Sequence, residues 1–185
     1  MTAARTLFTA ILLMMVLNTP SLAQKGPSQT GASCDASAEA NWPEGITASG
    51  TVTGPCQAAE VALTLTNQNG EIIWQETYRS DQLFDFNWAT NAVEMQASLD
   101  LWLGDYADTR TAGTLPDWLP GEEAPVGSEF PFYVDESVAR DAYVAAREAD
   151  RPMVCYIQGM ESARCLIIAP DGASVETVGV QSFPG

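Results

Sequence analysis

VALTLTNQNGEIIWQETY, residues 61–78, alternates apolar and polar side chains on both sides of Asn69-Gly70. Period-two alternation interrupted by Asn-Gly is the pattern of a β-hairpin, because glycine accepts the left-handed backbone that a tight turn demands. A two-residue turn there sets Leu65 opposite Trp74, Leu63 opposite Glu76 and Val61 opposite Tyr78. Most of the large side chains then share one face, with Thr64 and Gln75 on the other. Upstream, Ile46–Thr53 reads as a further strand stopped by Gly54-Pro55. Residues 24–40 are mostly Gly, Ser, Ala and Gln with almost no large apolar side chain, so burial cannot offset the entropy of ordering them. A flexible leader is expected there.

Downstream, Asn91 with Glu94 three residues later resembles a capping box, and Met95, Leu99, Trp102 and Leu103 follow at helical spacing until Gly104. The spacing predicts a helix over about Ala92–Leu103. Residues 104–134 hold four prolines and four glycines without a sustained period, which reads as a long surface loop. A second helix is expected from Asp135 or Glu136 to just before Pro152, with Val138, Ala142, Ala145, Ala146 and Ala149 as a small inward stripe. Three strands, Met153–Gln158, Ala163–Ala169 and about Ser174–Ser182, complete the chain around turns at Met160 and Asp171-Gly172. The order βββ-α-loop-α-βββ with short connections predicts an α+β fold: an antiparallel sheet of about six strands with two helices on one face.

Ahead of that domain, assigned to residues 41–185, residues 1–23 carry Arg5, the apolar run Leu7–Leu17, Pro20 and the small-residue site Ser21-Leu22-Ala23, the order of parts in a signal peptide. Cleavage before Gln24 leaves seven basic residues against 24 acidic ones, a charge of −17. Nucleic acid and anionic lipid are unfavourable partners for such a chain, and a cationic protein is the favourable one. No later apolar run is long enough for membrane insertion. Cys34, Cys56, Cys155 and Cys165 in an exported chain are expected to form disulfides, and of the three connectivities that four cysteines allow, Cys34–Cys56 with Cys155–Cys165 is favoured because the second pair flanks a turn. The second pair would face across an antiparallel ladder centred on Met160. Zinc is disfavoured, since histidine is missing and no two cysteines have C-x-x-C spacing.

A histidine-free chain whose only lysine is Lys25 cannot build a Ser-His-Asp or Cys-His site, and its folded region offers no lysine for a Schiff base. Carboxylates such as Asp85, Asp105, Asp108, Asp117, Glu122 and Glu123 are the remaining catalytic types, although most acids on so acidic a chain simply face solvent. No calcium-loop pattern, metal site or cofactor motif is present. Among the five tryptophans, Trp74 and Trp102 belong on core stripes, while Trp88 and Trp118 border the loop region as candidate anchors. Met160 and Arg164, at the braced Cys155–Cys165 turn, are the other binding candidates. The expectation is therefore a non-catalytic, periplasmic or secreted, binding or inhibitor-like domain acting on a cationic protein in the cell envelope. The alternatives are a carboxylate-dependent, carbohydrate-active hydrolase and a structural envelope component.

Overall fold

A computed structural model describes residues 33–183, so the expected signal peptide and the leader as far as residue 32 lie outside the described residues. The architecture is α+β, with two antiparallel sheets in place of the single sheet of six. The first sheet runs β1 (Ala36–Trp42), β2 (Ile46–Thr53), β3 (Glu60–Thr66), β4 (Ile72–Arg79) in chain order. After α1 (Ala92–Leu103) come β5 (Ala107–Thr111), β6 (Phe132–Val134), α2 (Arg140–Glu148), β7 (Pro152–Ile157), β8 (Ser162–Ile168) and β9 (Val175–Ser182). The second sheet has the order β5-β7-β8-β9-β6.

The hairpin register is the expected one: Val61 faces Tyr78, Leu63 faces Glu76 and Leu65 faces Trp74. Its turn differs. The Gly70 N–H donates to the Asn67 carbonyl and the Asn67 N–H to the Glu71 carbonyl, a longer loop with Gly70 left-handed at φ 77°. A register shift between Leu65 and Thr66 absorbs the extra residue, which is why the pairing survives.

Three expectations are corrected by packing. Ala36–Trp42, in part assigned to the leader, is an edge strand, because Ala36, Ala38 and Ala40 form a small inward row on which α1 lies. The long loop supplies β5 and β6, the two edge strands of the second sheet. The second helix begins only at Arg140, and it buries Tyr143 and Ala146 while Ala142, Ala145 and Ala149 face solvent. A large ring entering the core set the phase of that helix, not the row of alanines.

The helices also cover different faces. The inner face of the first sheet (Ile46, Ala48, Val52, Val61, Leu63, Leu65) packs with Met95, Leu99 and Trp102 of α1, and with Val154, Tyr156, Leu166 and Ile168 of the second sheet, in one core. On the far face of the second sheet, Met153, Cys155, Cys165 and Ile167 pack with Tyr143 and Ala146 of α2 in another. The side chain of Asn91 accepts the Val93 and Glu94 N–H groups, as a cap should, whereas Glu94 accepts from Thr90. Trp102 is buried, as expected, and Trp74 packs half-buried on the same core.

Both expected disulfides are present. The Gln158 N–H donates to the Ser162 carbonyl, so alternation along the ladder makes Cys155 and Cys165 a non-hydrogen-bonded pair, with Cα atoms 4.0 Å apart. Two disulfides suit an oxidising compartment outside the cytosol.

Candidate functional site

Arginine usage dominates the electrostatics. All six arginines among the described residues are engaged by carboxylates: Arg79 with Asp81, Arg110 with Asp108, Arg140 with Asp141, Arg147 with Asp117, Arg151 with Glu176 and Arg164 with Glu76. Of the 24 acidic residues, six are taken in this way, and the other eighteen have no ion-pair partner among the described residues.

Arg164 is an internal strut. It lies half-buried between the sheets, with Nη1 3.1 Å from Glu76 Oε2 and Nε donating to Gln158 Oε1. Beside it, the hydroxyls of Tyr78 and Tyr156 are 2.6 Å apart. Burial pushes the Tyr78 phenol up to about 12 and raises that of Tyr156 well above its ordinary value. Trp88 is 68% exposed, two residues past Phe86, whose ring is buried against Trp102. Met160 is 45% exposed at the β7–β8 turn, and the Phe84 N–H donates to the Gly159 carbonyl there. The segments bearing Trp88 and Met160 therefore meet, whereas Trp118 lies apart from them, on the α2 side of the second sheet.

Trp118 does not project as an anchor. Its ring packs edge-on against Tyr143 and its Nε1 donates to the Glu122 carbonyl, while Arg140 donates to its own carbonyl. The Val126 N–H donates to the Asp117 carbonyl, closing the base of the loop between them. Trp118 thus fills and stiffens a closed loop, and Leu119 is the exposed residue beside it.

That loop forms one wall of a groove of about 330 Å³. Trp118 and the Glu123–Pro125 segment stand on one side; Phe132, Tyr133 and Val134 of β6 stand on the other. Asp135 and Glu136 complete an acidic rim with Glu123. The Asp135 carboxylate accepts the hydroxyl and N–H of Ser137, and these bonds hold its pKa below the usual carboxylate value. Gly179 brings β6 close to β9, since a Cβ there would stand 2.7 Å from the Phe132 ring and collide with the Tyr133 carbonyl. An aromatic wall with fixed negative charge around it attracts a cation through both its ring faces and its carboxylates.

No family model matches the chain, and no curated protein or solved structure matches it either. The groove itself carries the functional argument.

Of the carboxylates singled out as catalytic types, Asp108 and Asp117 are committed to Arg110 and Arg147. The carboxylates with a displaced pKa, Asp35, Asp81, Glu94 and Asp135, are all lowered by hydrogen bonds from neighbouring groups, which suits a fixed charge and not a proton donor. The sequence pattern marked Glu123 only as a catalytic type and Asp135 and Glu136 only as a helix start, and it did not single out Tyr133. The available signal was Phe132-Tyr133-Val134 between Pro131 and Asp135, a short strand-forming run inside the proline-rich segment.

Proposed function

We propose that this is a non-catalytic binding domain that captures a cationic protein through the groove between Trp118 and Tyr133. The observation that carries the reading is the juxtaposition of aromatic walls with Glu123, Asp135 and Glu136, on a molecule whose arginines among the described residues are all paired with its own carboxylates. Uncompensated acids steer a cation to the surface, and the aromatic wall holds it once it has arrived. A periplasmic or secreted location, where such a domain would act on a cationic partner of the cell envelope, agrees with the signal-like segment at residues 1–23 and with the disulfides.

The test compares two double variants of equal net charge. Octalysine binding is measured by calorimetry at low and physiological salt, for Glu123→Gln/Glu136→Gln at the groove and for Glu39→Gln/Glu60→Gln on the first sheet. The groove pair should weaken binding by about fivefold or more, and the distant pair by less than about twofold. Equal losses for both pairs would leave only a diffuse field and remove the groove from the account.

A further inference from the structure

Tyr133 points away from its two neighbours. Phe132 is buried and Val134 packs beside it in the core under α2, whereas Tyr133 is 62% exposed. A cavity bounded by all three consecutive residues must therefore run along the edge of β6, and not over either face of the sheet. The main chain agrees. The Ser182 N–H donates to the Pro131 carbonyl and the Asp135 N–H to the Val178 carbonyl, so residues 131, 133 and 135 turn their polar groups toward β9. Alternation then aims the N–H and C=O groups of Phe132 and Val134 outward, into the slot between β6 and the Trp118 loop. An open strand edge is a template for a further strand, and sheets normally cover or shorten it.

We infer that the edge of β6 accepts an extended, lysine- or arginine-bearing segment of a partner protein as the sixth strand of the second sheet. The inference rests on the cationic-partner reading above and gives it a binding mode. Phe132 and Val134 offer main-chain hydrogen bonds, and side chains on the core side of the added strand meet the Trp118 ring. Those on the other side meet Tyr133, with Glu123, Asp135 and Glu136 supplying the charge that selects a basic segment. A second copy of this chain is the wrong occupant, because two strongly acidic surfaces would be brought together.

The experiment uses the full chain with an acetylated, amidated Lys-Val octapeptide of alternating sequence. Two twins of that peptide carry N-methyl groups on the odd or on the even backbone nitrogens. Binding is read by calorimetry, amide exchange by NMR and self-association by sedimentation. The expected result is binding of the parent peptide with exchange at Phe132 and Val134 slowed by about tenfold or more. One N-methylated twin, and not the other, should lose about tenfold in affinity, because an added strand points only alternate nitrogens at its neighbour. If the peptide binds in a salt-dependent way while both twins bind equally and those amides stay unprotected, strand addition is overturned and the cationic-partner reading stands. If neither this peptide nor octalysine binds, both fall. Protection of the same amides by self-association, without peptide, would assign the edge to a second copy and overturn the proposal.

Discussion

Tyr156 is fully buried, and its hydroxyl finds its partner in Tyr78, 2.6 Å away across the gap between the sheets. Removing one member of such a pair costs more than removing both, because the survivor is left desolvated without a partner. Tyr78→Phe should therefore destabilise the protein by about 1–3 kcal/mol. Adding Tyr156→Phe to it should restore part of that loss, since the remaining contacts are apolar rings. Urea unfolding of the two variants checks this. A double variant less stable than Tyr78→Phe alone would mean that the hydroxyls matter through some contact other than each other. Arg164, beside this pair, illustrates a limit of reading residues singly. In the sequence it neighbours an exposed turn, but strand alternation aims it inward, where Glu76 neutralises it. Its partner lies 88 positions away along the chain, beyond the reach of any local pattern.

Among the elements, β7 and β8 form the braced centre of the second sheet. Cys155 and Cys165 close a loop of ten positions, and the entropy withheld from the unfolded chain is worth about 3 kcal/mol. Cys155→Ser/Cys165→Ser should lower stability by about 2–4 kcal/mol in thermal unfolding while the far-ultraviolet spectrum at 25 °C stays that of the folded protein. A variant as stable as the parent would show that the ladder alone sets the hairpin. The hairpin and α1 were legible because their signals are local: an alternation, a cap, a stripe of four apolar residues before a glycine. β1, β5 and β6 were not. Each is an edge strand held through a single neighbouring strand, and their side chains are small, charged or few. What stabilises β5 and β6 is a ladder to a partner far along the chain, as when Phe132 pairs with Gln181, and β1, though paired with the adjacent β2, is fixed by α1 lying on its alanine row.

For the whole molecule, pH should bound stability on both sides. Asp35, Asp81, Glu94 and Asp135 have folded pKa values below their unfolded ones near 3.8–4.5. The stability they contribute is thus present above that range and lost as pH falls through it and below. Tyr78, Tyr143 and Tyr156 are shifted the other way by burial, Tyr78 and Tyr143 to about 12. The folded state keeps their protons longer than the unfolded chain does, so stability is present below about pH 10 and lost as pH rises from there. Scanning calorimetry should give a plateau from about pH 5 to 9 with Tm falling at both ends; a Tm still rising between pH 9 and 11 would contradict the tyrosine assignment. Spacing and composition alone were enough for the α+β class, the register of the β3–β4 hairpin, α1 and its cap, and the surplus of acid, and they favoured one of the three possible cysteine pairings. The division of the strands between two sheets, the turning of Trp118 against Tyr143 and the acidic slot along β6 came from long-range packing. Those outcomes depend on which distant segments bury one another's apolar faces, and that choice is made by the packing of the whole chain.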